Sequence, residues 1–414
     1  MEGYKPRHPA GVNVSSASLS TPDRALTRVI ALMSLAAFAS GASLRISDSL
    51  LPQVAQGFGA SLGLTSSIVT AYAIPYGITQ AFAGLVGDRL GKCQAVAVAC
   101  ALSCGLVLLC AAAQSVPQLA LARFICAPGA AIIVPLGMAY VGDAVPYARR
   151  QTVLARFLAG QMFGMIAGQV AGGIIGDHFG WRMAFVALAG VFAVASLALA
   201  SQLRGNPYTK PNHHEGGARL GFIAGYRNLF AVPWARFIML AVFIEGGIFF
   251  AGLTYIAADL HARFGLSFSA VGLVVGAFGV GSVLYASSVH RLVTAFGERG
   301  LVIGGGIVVM LAFLTLAGEP FWQSAPAAVC LLGFGYYMVH NTLQTHATQM
   351  LPEARSTAVA GFSSALFLGQ SVGVALAAPI VDRAGAVPVF VLAACLWPAL
   401  ALWVRIRIGQ RRFF

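Results

Sequence analysis

Charge is what this sequence has least of. Of its 414 residues, 26 are Lys or Arg and 13 are Asp or Glu, 9% in all, where an ordinary soluble domain carries about a quarter. So few charges cannot cover the surface of a water-soluble protein of this size. A hydrophobic share of 58% excludes a disordered chain as well, since such chains are poor in apolar residues and rich in charge. Long polar stretches are missing too. The longest, 204–228, is too short to house a nucleotide-hydrolysing domain, and no Walker A pattern occurs anywhere. Residues 1–26 lack the short apolar core of a cleavable signal peptide and are expected to stay as a cytoplasmic tail. Metal-ligand clusters are also absent from the pattern. The seven cysteines (93, 100, 104, 110, 126, 330 and 395) fall in apolar runs without ligand spacing, where a free thiol acts as a small hydrophobe. His213, His214 and Glu215 read as a solvated loop. Neither a cofactor nor a metal nor a nucleic-acid partner is expected.

What is present is apolar sequence in long blocks, with a mean hydropathy of +0.80. A transmembrane helix needs about 20 mostly apolar residues. Twelve charge-poor runs of that kind lie near 27–47, 63–85, 93–113, 118–141, 152–175, 183–203, 236–257, 268–289, 300–318, 324–346, 357–380 and 386–404. They are too long for barrel strands and do not alternate. The fold class is therefore an all-α membrane protein with twelve spans. Its expected organisation is a tail at 1–26, a six-helix bundle at 27–203, a central cytoplasmic loop at 204–235, a second bundle at 236–404 and a tail at 405–414. With the amino end inside, 21 of the 26 Lys and Arg residues fall in inner segments. The positive-inside rule then puts both termini in the cytoplasm. The net charge of +13 is topological on this reading. The expected setting is a lipid bilayer, the bacterial inner membrane, with the chain as a monomer.

The two halves are related. A shift of 205 lays 150–189 over 355–394 with twelve of forty positions identical, among them Arg150/Arg355, Gly164/Gly369, Gly168/Gly373, Asp177/Asp382 and Gly180/Gly385. Chance in so biased a composition gives roughly four. A duplicated six-span unit in parallel orientation places a substrate site between the halves, near the midplane.

Three local patterns carry a resemblance. The loop after span two reads Gly84-Leu85-Val86-Gly87-Asp88-Arg89-Leu90-Gly91-Lys92. It is similar to the signature loop of the major facilitator superfamily. Arg123-Phe124 in span four is similar to the arginine motif of that family's twelve-span drug/proton antiporter branch. Gly164, Gly168, Gln169, Gly172 and Gly173 in span five resemble its antiporter motif, with Gln169 where the motif has proline. The resemblance implies alternating access between two six-helix halves. It makes Gly84, Gly87, Asp88, Arg89, Gly91 and Lys92 a gating loop that latches the cytoplasmic side. It also has spans one, four, seven and ten line a central cavity.

The residues have readings of their own. Gly160, Gly164, Gly168 and Gly172 recur every fourth position and form a small-residue packing stripe. With Gly272 and Gly276 as partners it reads as a rocking seam between halves, with dense packing as the alternative. Charges inside spans are costly and usually functional. Arg45 and Asp48 share a face of span one and can neutralise each other; Leu51-Pro52 suggests that the helix ends there, leaving Asp48 partly hydrated. Glu245 in span seven has no Lys or Arg within a turn, and is the first choice for a proton carrier. Asp48 is the second, and Arg123 is the cation expected to act on it or on an anionic substrate. In span ten His340, Asn341 and Gln344 are cavity candidates, and His340 can relay protons. Each of these polar groups has an interhelical hydrogen bond as its bland alternative. Tyr72, Tyr76 and Gln80 form a second polar stripe in span two, kinked at Pro75.

The function expected is a secondary active transporter moving a small molecule, coupled to protons in the export direction. A proton-coupled importer or uniporter of a small polar solute is the first alternative, and a non-transporting membrane receptor or scaffold the second. An enzyme is not expected.

Overall fold

Apolar runs that leave no water for the backbone must satisfy their own N–H and C=O groups, which selects helices. A computed structural model describes residues 24–209, 222–319 and 321–410, and helices dominate throughout. The tail before residue 24, His213, His214, Glu215 and Arg411 onward lie outside the described residues.

The first half holds α1 (Arg24–Phe58), α2 (Ser67–Leu90), α3 (Lys92–Ala112), α4 (Val116–Ala144), α5 (Tyr147–Phe179) and α6 (Trp181–Leu203). The second opens with α7 (Pro233–Leu253). A single helical run, Phe268–Gly318, follows; Gly297 interrupts it at φ 62°, ψ 175°, which divides it into α8 (268–296) and α9 (298–318). Such a φ is open to glycine at little cost. The last three are α10 (Ala325–Ala347), α11 (Arg355–Ala384) and α12 (Val387–Gln410). Gly180 (φ 83°) and Gly385 (φ 76°) make the tight turns that end α5 and α11, at equivalent positions of the repeat.

Ten helices among the described residues are long and apolar enough to cross a membrane, with the Phe268–Gly318 run taken once. The long helix outside that set is α10, whose second half carries His340, Asn341, Gln344 and His346 and so dilutes its hydropathy. In α1 the expected end at Leu51-Pro52 does not occur. The helix continues through Pro52 to Phe58, and Asp48 is 1% exposed rather than hydrated. Proline removes only one helical donor, the one that would serve the carbonyl of Asp48, and packed neighbours hold the rest of the turn together.

Each half has its own apolar core. One contains Met33, Leu50, Tyr72, Ile133, Phe157 and Phe192; the other contains Phe249, Phe313, Tyr336, Phe362 and Trp397. The outward faces expose Leu102, Leu121, Leu197, Leu273 and Leu376, as lipid-facing surfaces do. The fold is thus two pseudo-symmetric bundles of six helices in a multi-pass membrane protein.

The repeat is visible in the contacts as well as the residues. A methyl group on Gly164 would run into the Phe38 backbone, and one on Gly168 into that of Ala42; on Gly369 and Gly373 it would run into Phe243 and Gly247. Both members of each pair are shifted by 205. The glycine stripe therefore seats α5 on α1, within one half. The expectation of a seam between halves is corrected here: backbone of α1 fills the groove that a sliding partner would need. The seam with α8 runs along the next face of α5, where Gly173 meets Gly272, Val170 meets Gly276 and Ile166 meets Gly279.

Between the halves, α2 packs on α11 and α5 on α8. Midway, Ser364 Oγ donates to the Gly77 carbonyl at 2.7 Å. Among the described residues, a further group of hydrogen bonds between the halves gathers at the end opposite Arg24 and Gln410. Gln56 Nε2 lies 2.8 Å from His261 Nε2, and Tyr255 Oη donates to Ser66 Oγ at 2.8 Å. Asp177 Oδ2 accepts from the Ser269 hydroxyl (2.7 Å) and amide (3.2 Å) at the start of α8. Asp382, its repeat partner, accepts from Ser61 Oγ (2.8 Å) and the Gly63 amide (2.7 Å) at the start of the short helix Leu62–Thr65. Both aspartates thus meet a helix amino end across the interface, where the dipole favours an anion. This end is sealed.

The double variant Asp177→Ala/Asp382→Ala is expected to loosen that seal. A loss of about 1 kcal/mol moves a two-state ratio about fivefold. Alkylation of Ser66→Cys by a hydrophilic maleimide, in a background with the native cysteines replaced, should rise by that factor. An unchanged rate would remove the aspartates from the seal.

Candidate functional site

A polar layer crosses the middle of the bundle. In α1 the serines at 40, 43, 47 and 49 stand beside Arg45 and Asp48, all buried. Tyr72 Oη donates to Ser43 Oγ at 2.9 Å, and Tyr76 Oη lies 3.2 Å from Ser40 Oγ. Ser40 in turn donates to the Ala130 carbonyl at 2.8 Å, and Gln80 and Gln161 flank the Tyr76 hydroxyl. The span-two stripe is therefore committed to α1, which positions these tyrosines as supports; the Tyr72 and Tyr76 rings are 1% and 0% exposed.

Arg45 and Asp48 meet as their spacing allows, with Nη1 to Oδ2 at 3.4 Å. This is a long contact, and Asp48 Oδ1 is buried without a hydrogen-bond partner. The Arg45 guanidinium also lies over the Phe250 ring of α7, 4.1 Å from its centroid. A cation over an aromatic face is attracted by the ring quadrupole. Phe250 is the residue that the 205-residue shift assigns to Arg45, so one half's cation rests on the other half's equivalent position.

Arg123 is 1% exposed. Its Nη1 donates to the Ser43 carbonyl at 3.0 Å, its guanidinium stands 3.7 Å from the Tyr72 ring centroid, and Nε is buried without a partner. No hydrogen bond joins it to Asp48 among the described residues. It acts on that carboxylate through its field.

Across the interface, Glu245 is fully buried and finds a partner the sequence did not reveal. His340 Nδ1 lies 3.0 Å from Glu245 Oε2, and Tyr336 Oη lies 3.2 Å from the same nitrogen. Glu245 Oε1 has no hydrogen-bond partner. Two residues chosen for separate reasons, on α7 and α10, thus form one titratable pair. Burial makes that pair consequential, because a buried polar group left without its partner costs about 1–3 kcal/mol. Tyr336 and Tyr337 complete the surroundings. Tyr336 stacks on His340 (5.0 Å between centroids) and packs against Phe249 (4.3 Å) and Phe250 (5.9 Å). Sequence reasoning passed over Tyr336, although it stands four residues before His340, on the same helical face.

The remaining candidates diverge. Asn341 Nδ2 donates to Tyr285 Oη at 3.0 Å, toward α8, and Gln344 is exposed. His346 lies 3.2 Å from Glu298 and edge-on to Trp234, away from the centre. In the gating loop, Lys92 pairs with Asp143 at the end of α4. Gly91 turns the chain at φ 79°, Gly87 faces Leu136, Gly84 faces open space, and Arg89 is exposed. The side chain of Asp88 lies outside the described residues. Among the described residues no group of His, Cys, Asp and Glu could hold a metal.

Between Arg45 and α5, α8 and α10 lies a small cavity with about 10 Å³ of room, enough for about one water. Met162, Met165, Ile166, Gln169, Phe278 and Tyr337 are among its walls.

Two bundles related by a parallel repeat, with buried charges at their interface, match the family model described as Major Facilitator Superfamily over residues 33–374. The chain belongs to that family, whose members are transporters rather than enzymes. Among its relatives is YceJ of Bacillus subtilis (strain 168), an MFS-type transporter, 24% identical over 343 residues that cover 82% of this chain and 86% of the relative. The inner membrane transport protein YdhP of Escherichia coli (strain K12) is 23% identical over 355 residues, 84% of this chain and 88% of the relative. Solved structures share the fold. The nucleoside transporter NupG superposes with a TM-score of 0.74 at 13% identity, covering 94% of this chain and all of that one. A D-xylose-proton symporter superposes at 0.71 with 16% identity, covering 93% and 97%.

Proposed function

We propose that the protein is a proton-coupled secondary active transporter of a small organic solute, working by alternating access between its two halves. The observation that carries this reading is the buried Glu245–His340 pair. A carboxyl and an imidazole 3.0 Å apart can hold one proton between them and release it when the halves part and water enters. Arg45 and Asp48 form a second, weaker couple one aromatic ring away. The glycine stripe of α5, similar to the antiporter motif, supports export of a drug or metabolite. Proton-coupled uptake is the second reading, and Gln169, standing where the antiporter motif has proline, favours it. The sealed end, which lies away from both termini and from most basic residues, is taken as the outer side. The chain is taken to act as a monomer in the bacterial inner membrane with both termini in the cytoplasm.

The test is proton movement in proteoliposomes across a chemically varied compound panel, read with an internal pH dye. Compound-dependent proton flux above that of protein-free vesicles is expected. If every compound leaves the dye trace at the protein-free level, proton coupling is withdrawn.

A further inference from the structure

We infer that the transported solute is an organic anion, an oxyanion such as a carboxylate or sulfonate on an apolar body, with its charged end at Arg45. This inference rests on the transport reading above and is indifferent to direction.

The first support is the charge at the centre. Glu245 is matched by His340 in its own half. Counted with one shared proton, that pair is neutral. What remains is two guanidinium groups, Arg45 and Arg123, and the single carboxylate of Asp48, all buried. The centre is therefore left with a surplus positive charge. A buried charge without a counterion is costly, and an anionic solute supplies that counterion.

Unused donors are the second support. A guanidinium has five N–H groups in a planar fork that suits an oxyanion. Among the described residues, Arg45 makes one hydrogen bond, the 3.4 Å contact to Asp48. It lines the cavity between the halves. Arg123 Nε is also buried and unpaired.

The cavity wall is the third. Arg45 is its charged member, and among the described residues no Asp or Glu lines it. A cationic solute would meet a guanidinium there, and the nearest carboxylate, Asp48, is already in contact with that guanidinium. Met162, Met165, Ile166 and Phe278 give an apolar surface for the rest of the solute, and methionine repacks around varied shapes. With room for about one water in the closed arrangement, the solute enters only when the halves separate.

A pH signature follows. The titratable and charged groups facing Arg45 are Asp48 on its own helix, Tyr76 on α2, and Tyr336 and Tyr337 on α10; Arg123 on α4 faces Asp48, and Glu245 on α7, paired with His340, faces the two tyrosines. A proton taken up by Asp48 makes the centre more positive and frees Arg45 from that carboxylate. An anion should therefore bind more tightly as pH falls, whereas a cation would compete with the proton.

Three probes on one skeleton test this: 2-naphthalenesulfonate, its neutral sulfonamide, and the naphthylmethyl trimethylammonium cation. Binding is read by thermal stabilisation of the purified full chain. The sulfonate is expected to bind about tenfold more tightly than the sulfonamide, to tighten as pH falls, and to lose that advantage in Arg45→Gln while keeping part of it in Arg45→Lys. Both variants are scored only as monodisperse protein, and the lysine variant keeps the test open if glutamine disturbs folding. Equal or tighter binding of the ammonium probe, or sulfonate binding untouched in Arg45→Gln, would overturn the inference, as would binding by none of the three. Proton flux with the same probes separates the two levels. Flux driven by the ammonium probe alone leaves the transporter standing and removes the anion; absence of flux from the whole panel removes the transporter reading too.

Discussion

Proton-coupled flux is expected to fall at least about tenfold in Glu245→Gln, to the level of vesicles without protein. Glutamine keeps the shape of glutamate and can still hydrogen-bond to His340, 3.0 Å away, but it cannot bind and release a proton. The isosteric change also avoids leaving the imidazole without a partner, which would cost about 1–3 kcal/mol. The variant should therefore express and elute like wild type. Solute exchange between equal concentrations on the two sides should survive better than uphill movement, because exchange needs the site and not the proton. His340→Gln is the matching change on α10, expected to lower flux in the same assay. Full coupled flux in Glu245→Gln would reassign the carrier to Asp48, the other acid buried at the interface.

The second large effect concerns stability. Gly164→Ala and Gly369→Ala are each expected to destabilise the protein by roughly 2 kcal/mol or more, since overpacking a dense contact costs about 1–3 kcal/mol even where side chains can shift. Here the obstacle is backbone. The added methyl would meet the carbonyl of Phe38 in one half and of Phe243 in the other, and neither can rotate away without dislodging a whole helix. Gly190→Ala on α6 is the control: nothing lies within 4 Å of its added methyl, and alanine favours a helix over glycine by about 1 kcal/mol. Thermal unfolding in detergent should show both stripe variants below wild type and the control at or above it. If the two stripe variants melt with wild type, α1 and α7 are not held as closely as the structure has them.

The equivalence of those two glycines shows what was readable beforehand. The 205-residue shift came from residue identities in spans five and six against eleven and twelve. It carried over to partners whose types differ, such as Arg45 and Phe250, because a duplicated bundle preserves helix positions even where side chains diverge. The direction of the glycine stripe was not readable. Small residues every fourth position mark a face for close packing, but the spacing is the same whether the neighbour is α1 of the same half or α8 of the other. Only the position of α1, its backbone filling that groove, decided between them.

Composition and hydropathy by themselves determined that this chain is a helical membrane protein, and residue identities that its two halves are related. Lipid admits few ways to satisfy a backbone, so apolar length translates almost directly into helices. They also marked Glu245, Arg45, Asp48 and Arg123 as the charges of interest, because burial in a membrane is costly enough to make each one conspicuous. The tertiary structure decided their partners. Glu245 and His340 are 95 residues apart, and no local periodicity connects α7 to α10. Arg45 stacks on a ring from the other half, and Tyr72 and Tyr76 turn to the serines of α1 rather than to open space. Charge scarcity thus named the residues that matter. Which of them meet one another, and which line the cavity between the halves, depends on packing between helices far apart in sequence.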